Sequence, residues 1–343
     1  MFREMMIGKN KIRNRIVRSA TNDHMGHPDG SVSEEQVRLY ETLAKNDVGM
    51  IITGHMSVSE RYRADAHQLL VTDDRFIEGL RKIPEAVHKY GGIIYAQISQ
   101  AGRKAYLGAC EINTMTKAEI MEVIDQFVAG AHRVQQAGFD GVQIHLAHGY
   151  FLANVLDDTV NLRGDAFGGT AENRFNIAHT IINRIKDTCG ADFSVIVKLC
   201  ANNEALGDYD ETLLYYARQL EALGVDAIEL SGSDFMKKNK DETAYYLREA
   251  LLLKQNVDCP VILVGGLHEK EMLQRVLDQG IDMVAMARPF ICEPDLVMKF
   301  KEGNRDAKCI RCYQCFKTFQ TKFKNCVFLP EDKWLKELYS NGR

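Results

Sequence analysis

Short apolar runs recur along the chain, and each closes on a polar or small residue. Four share one form, a glycine or asparagine close to an aspartate followed by the apolar run: residues 46–53, 138–145, 224–231 and 280–288, which end on Thr53, His145, Ser231 and Arg288. Four more runs have strand character, at 16–19, 92–97, 195–198 and 261–265. Stretches of helical periodicity lie between them, and two open on capping-box pairs, Ser33 with Gln36 and Thr116 with Glu119. Repeated alternation of helix and strand predicts βα units and a parallel sheet. Eight such units predict an α/β fold of the (β/α)8 TIM barrel type, with a doubly wound open sheet as the alternative.

Barrel enzymes carry their chemistry at the C-terminal ends of the strands. Here those ends supply Ser19-Ala20-Thr21, Thr53-Gly54-His55, Gln97, His145, Lys198, Ser231, Gly265-Gly266 and Arg288. A site made of these groups is polar, cationic at Lys198 and Arg288, and glycine-lined at Gly54 and at Gly265-Gly266, which suits a phosphorylated cofactor. Gly265 and Gly266 follow the seventh strand, and Ala287 and Arg288 follow the eighth, where barrels commonly hold phosphate through backbone N–H groups. A tight turn alone would also explain a double glycine. His145 and His148, three apart just past a strand end, can converge on one oxygen.

The 343 residues exceed what a barrel of about 250 residues needs, so one large domain with an appendage is expected. The division expected is a barrel over 1–300 and a short C-terminal cysteine-rich extension over 301–343. With 45% hydrophobic residues and a net charge of −4, the composition supports a large core and offers no basic face for nucleic acid. No apolar run has the length of a signal peptide or of a membrane span, so the expected location is the cytoplasm. Nine cysteines in such a compartment argue against a disulfide framework. Cys110, Cys189, Cys200, Cys259 and Cys292 are scattered, whereas Cys309, Cys312, Cys315 and Cys326 crowd one segment. Four thiolates are what a cubane cluster needs. Zinc is the competing ligand, but Cys₄ zinc sites typically use two Cys-x-x-Cys pairs, and here three cysteines share one nest while the fourth stands apart, which favours [4Fe–4S].

The stretch Ile144-His145-Leu146-Ala147-His148-Gly149-Tyr150, followed by residues 163–174 from Arg163 to Arg174, closely resembles the signature of the old yellow enzyme family of FMN-dependent ene reductases. Gln97 with Ala101-Gly102-Arg103, and Ala285 through Phe290, match at the expected relative places. The resemblance implies that His145 and His148 bind the carbonyl of an activated alkene, and that Tyr150 is the general acid that protonates the α carbon. It implies that Gln97 meets the pyrimidine edge of FMN and that Ala20, Thr21 and Asn22 line the flavin. Lys198 stands where most relatives have Arg near the flavin N1 and O2 atoms, a point charge in place of a planar fork. Arg103 and Arg174 also match, and Arg174 reads as a structural anchor.

The cysteine segment resembles the iron–sulfur branch of that family, which includes 2,4-dienoyl-CoA reductase and trimethylamine dehydrogenase. Those relatives continue into further dinucleotide-binding domains. Seventeen residues follow Cys326 here, so the expectation is a chain without those domains, with electrons arriving from free NAD(P)H or, through the cluster, from a protein such as reduced ferredoxin. The substrate expected is a small unsaturated molecule, and a homo-oligomer is compatible with the sequence. Amine dehydrogenation is a rival reading, weakened by His145 where that activity carries Tyr. An electron-transfer module and an RNA-modifying flavin barrel are others, the latter opposed by the charge. Substrate choice is expected to lie in the loops over 62–70 and 235–246.

Overall fold

The structure is a computed structural model and describes residues 1–239, 241–304, 306–318 and 323–328. Two short strands, β1 (Met5–Ile7) and β2 (Asn10–Ile12), precede β3 (Ile16–Arg18), α1 (Glu34–Lys45), β4 (Met50–Ile52) and the two-residue β5 (Met56–Ser57). Then come α2 (Ile77–His88), β6 (Ile93–Ser99), α3 (Lys117–Gln136), β7 (Gly141–Leu146), α4 (Phe151–Leu156), α5 (Ala171–Cys189) and β8 (Ser194–Cys200). The rest of the described chain holds α6 (Asp210–Ala222), β9 (Ala227–Ser231), α7 (Leu247–Lys254), β10 (Val261–Val264), α8 (Lys270–Asp278), β11 (Met283–Met286), α9 (Arg288–Cys292) and α10 (Leu296–Lys301).

Strands β3, β4, β6, β7, β8, β9, β10 and β11 pair in parallel in that order, and β11 closes back on β3 with Val284 opposite Ile16 and Met286 opposite Arg18. Closure makes this a (β/α)8 TIM barrel. An open doubly wound sheet would leave β3 and β11 as edges. Strands and helices alternate because every strand must be covered on both faces, by the barrel interior and by the outer helices.

Side-chain alternation sorts each strand between two cores. In β7, Val142, Ile144 and Leu146 belong to the outer core under the helices, while Gln143 and His145 point inward. At the N-terminal end of the barrel the interior is apolar, built from Val17, Met50, Ile196 and Ile262 and sealed by Ile7 and Ile12 of the β1–β2 hairpin. Two residues further along β6, β8 and β9 the interior turns polar: Tyr95 gives way to Gln97, Ile196 to Lys198 and Ala227 to Glu229. That change of polarity puts the reactive end at the C-termini of the strands.

Helix starts follow their caps. Thr116 and Glu119 form the full reciprocal capping box of α3. Ser33 caps α1 by accepting from the backbone of Gln36, but the Gln36 amide turns to Asp23 at 2.9 Å, so only half of that box is made. Among the described residues no helix is long and apolar enough to cross a membrane.

Candidate active site

A cavity of about 690 Å³ opens at the C-terminal ends of the strands. Ala20, Thr21, Asn22, Gln97, His145, His148, Tyr150, Lys198, Gly265, Gly266, Ala287 and Arg288 all line it. Gly54 does not. It lies behind Thr21, where an added Cβ would stand 2.8 Å from the Thr21 carbonyl oxygen, and its N–H donates to the Tyr40 hydroxyl at 2.9 Å. Arg103 pairs instead with Glu204 at 2.8 Å on the surface. Arg174 is buried and donates to the carbonyls of Leu156 and Gly169, which is the structural anchor expected of it.

The floor of the cavity is one hydrogen-bonded chain that crosses four strands. Gln97 donates to Gln143 at 2.7 Å, and Gln143 to Glu229 at 2.8 Å. Ser19 donates to the other Glu229 oxygen at 2.6 Å, Lys198 donates to Ser19 at 2.7 Å, and Lys198 stands 3.3 Å from Glu229 as an ion pair. Burial lowers the Lys198 pKa and the Glu229 carboxylate opposes that shift. Strand register makes the chain, since Gln97 sits opposite Gln143, His145 opposite Lys198, and Lys198 opposite Glu229. Gln143 and Glu229 carried no role in the sequence reading. A signal was available: each lies two residues before a strand-end group, His145 or Ser231, and so shares its inward face.

Above the floor three rings meet. His145 lies 5.1 Å from His148 and 5.0 Å from Tyr150, centroid to centroid. His148 Nε2 is 2.8 Å from the Ser231 hydroxyl, whereas His145 Nδ1 is buried without a hydrogen-bond partner. Burial, reinforced by neighbouring cationic groups, holds both histidines well below their ordinary pKa, so they are neutral at pH 7. Burial also pushes the Tyr150 phenol upward, keeping it protonated. His148 and Gly149 take left-handed backbone angles, φ 63° and 66°, which turn the chain sharply enough to bring His145, His148 and Tyr150 onto one wall.

At the opposite end Gly265 and Gly266 adopt φ of 132° and 69°, and a Cβ on Gly266 would come within 2.6 Å of the Tyr245 ring. Only glycine fits that turn. Arg288 lies 4.1 Å above the ring of Tyr313, and its guanidinium donates to the Arg311 carbonyl at 3.3 Å. The C-terminal segment therefore reaches the site, contributing Arg311, Phe316 and Lys324 to the cavity wall. Loops 62–70 and 235–246 contribute Asp65, Phe235 and Tyr246 among others.

Cys309, Cys312, Cys315 and Cys326 line a second, small cavity of about 60 Å³ next to Arg288. Cys292, scattered in the sequence, lines the same cavity from the end of α9. Among the described residues no three His, Cys, Asp or Glu side chains are grouped as a metal ion would need them.

The NADH:flavin oxidoreductase / NADH oxidase family model matches residues 1–307. The chain belongs to that family. Among its members, NADH oxidase of Thermoanaerobacter brockii is 33% identical over 341 residues, covering 91% of this chain and 52% of that protein. The chain thus spans about half the length of that relative. Two solved structures share the fold: 2-naphthoyl-CoA reductase in complex with 2-naphthoyl-CoA, with a TM-score of 0.82 at 22% identity over 88% of this chain and 52% of that one, and the old yellow enzyme homologue of Zymomonas mobilis, with 0.77 at 23% identity over 90% and 95%. Membership in a flavin oxidoreductase family makes FMN the group the cavity has to fit, and the residues fit it. Gly265, Gly266 and Arg288 line one end of the cavity, which brings backbone and a cation together as a phosphate needs, and Gln97 and Lys198 offer an amide and a buried cation to a polar ring edge.

Proposed function

We propose that the protein is an FMN-dependent reductase of electron-poor C=C bonds in enones, enoates or enoyl thioesters. The observation that carries this reading is the meeting of His145, His148 and Tyr150 on one wall of the cavity, with His145 5.1 Å from His148 and 5.0 Å from Tyr150. Bound FMN supplies the hydride that adds at the β carbon. His145 and His148, neutral at pH 7, polarise the substrate carbonyl by hydrogen bonding without adding a full charge. Tyr150 holds its proton at Oη until negative charge builds on the α carbon, then delivers it there. Gln97 and Lys198 would orient the ring, and Gly265, Gly266, Ala287 and Arg288 would hold the phosphate. A relative by fold is named for reducing a CoA thioester, which agrees with this substrate class.

Residues 1–300 are the flavin barrel in this reading and 301–343 a C-terminal cysteine segment, of which Arg311, Phe316 and Lys324 line the cavity. Cys309, Cys312, Cys315 and Cys326 are proposed to hold a [4Fe–4S] cluster, because four thiols share one cavity and three of them lie at three-residue steps with the fourth apart, unlike the two Cys-x-x-Cys pairs typical of zinc. Electrons arrive from free NAD(P)H or from a reduced ferredoxin docking near that segment.

The test is a pair of substitutions. Tyr150→Phe should slow the enone half-reaction by on the order of 10²-fold while the half-reaction with the electron donor keeps its rate. His145→Ala should weaken enone binding and leave FMN bound. Equal slowing of both half-reactions in Tyr150→Phe, or loss of FMN in His145→Ala, would remove these residues from the roles assigned.

A further inference from the structure

His55, on the turn between β4 and β5, is buried beside Tyr150 in an edge contact, with ring centroids 5.1 Å apart and planes at 72°. Its Nε2 lies 3.4 Å from the Tyr150 Oη. The partners behind it decide which nitrogen carries the proton. Gln68 accepts from the Ala64 N–H at 2.6 Å through Oε1, so its amide cannot be reversed, and its Nε2 donates to the His55 carbonyl at 3.1 Å. That same Gln68 Nε2 is 2.5 Å from His55 Nδ1. An amide nitrogen has only protons to offer, so Nδ1 must present its lone pair. The Ser99 hydroxyl, 3.1 Å from Nδ1, can donate to it as well.

Burial pushes the His55 pKa down to about 4, so at neutral pH the ring carries a single proton. Asp65, Lys324, His24 and Lys198 bear on the ring electrostatically and His145 lies 6.3 Å away, but its hydrogen bonds run to Gln68, Ser99 and Tyr150. With Nδ1 occupied as an acceptor, the one proton sits on Nε2 and faces the phenol.

We infer that His55, locked in its Nε2–H tautomer by Gln68, is the positioning residue of Tyr150: it donates to the phenol oxygen and steadies that oxygen as its proton leaves. The inference rests on the reading of Tyr150 as proton donor. Because Nε2 already carries hydrogen, it cannot accept the Tyr150 proton, which stays available to the substrate. Once the phenol gives that proton up, the N–H···O contact becomes charge-assisted and tightens from its resting length.

Nitrogen-15 NMR of the FMN-loaded protein, with His55→Phe used to assign the resonances, should show His55 neutral with its proton on Nε2. A proton on Nδ1 overturns the inference. Tyr150→Phe should shift the Nε2 resonance by deleting its acceptor, and an unmoved resonance overturns it too. Gln68→Glu is nearly isosteric and replaces the donor with an acceptor, so it should move the proton to Nδ1 and slow cyclohexenone turnover about tenfold at unchanged KM. In the Tyr150→Phe background Gln68→Glu should add nothing, and additive losses mean a purely structural role. If Tyr150→Phe leaves turnover untouched, the proton-donor reading fails by itself, while the nitrogen spectra still judge the hydrogen bond without substrate.

Discussion

At the scale of single residues, desolvation keeps the histidines and Tyr150 of the site in their neutral forms, above the Lys198–Glu229 ion pair of the floor. His55 and His145 are buried and His148 is half-buried, and loss of solvent is the main cause of the lowered pKa of each. The sign of the consequence for stability follows from proton linkage. Between the ordinary value of 6.5 and the native value of about 4, His55 takes up a proton in the unfolded chain and not in the native one. Stability therefore falls as pH drops through 6.5, and the contribution of His55 to that fall saturates near 4. At pH 5 His55 alone should account for about 2 kcal/mol of lost stability. Urea unfolding at pH 7 and pH 5 measures this, and His55→Phe should flatten the dependence. A protein equally stable at both values would mean that these rings are solvated enough to charge in the native state.

At the scale of elements, the register of the strands decides which side chains meet, and small residues keep that register tight. Gly141 opens β7 between β6 and β8, and a Cβ there would stand 2.3 Å from the Tyr95 ring and 2.6 Å from the Ser194 carbonyl oxygen. Tyr95 cannot simply move aside. Its hydroxyl donates to Ser194 at 2.9 Å and accepts from Asn10 of the floor hairpin at 2.8 Å. Gly141→Ala should therefore destabilise by about 1–3 kcal/mol through overpacking, read as a lower urea midpoint. Because His145 and Gln143 share this strand, the substitution should also loosen the floor chain and raise the KM for enone. A midpoint equal to that of the unsubstituted protein would show that β6 and β8 can spread without cost.

For the molecule as a whole, the barrel and the cysteine segment build one site from two sides. Arg311, Phe316 and Lys324 close the large cavity, and the cysteines stand behind Arg288 in the small one. Anaerobically purified protein should carry about four irons per chain with matching sulfide, together with flavin absorption. One zinc per chain and no iron would replace the cluster with a structural metal. If iron is present, Cys312→Ser should abolish turnover driven by reduced ferredoxin and spare FMN binding.

The sequence was sufficient for the architecture because the barrel is written in local terms. Eight apolar runs, four of them led by a glycine or asparagine close to an aspartate, stand where eight strands are observed, and His145, His148 and Tyr150 lie within six residues of one strand end, so chain geometry alone brings them together. Lys198, Gly265 and Gly266 were legible for the same reason, as strand-end groups in a fold that gathers strand ends. What the sequence could not disclose depends on contacts between residues far apart in the chain. Glu229 finds Ser19 and Gln143, Cys292 joins the distant cysteines, and Gly54 falls behind the site instead of in it. His55 depends most on tertiary structure. Its tautomer follows from an amide thirteen residues away whose orientation is set by a backbone N–H, and such a chain of donors exists only after the loop over 62–70 has folded against the barrel. Periodicity and motif report the order along one chain, whereas burial and hydrogen-bond direction are properties of the closed barrel.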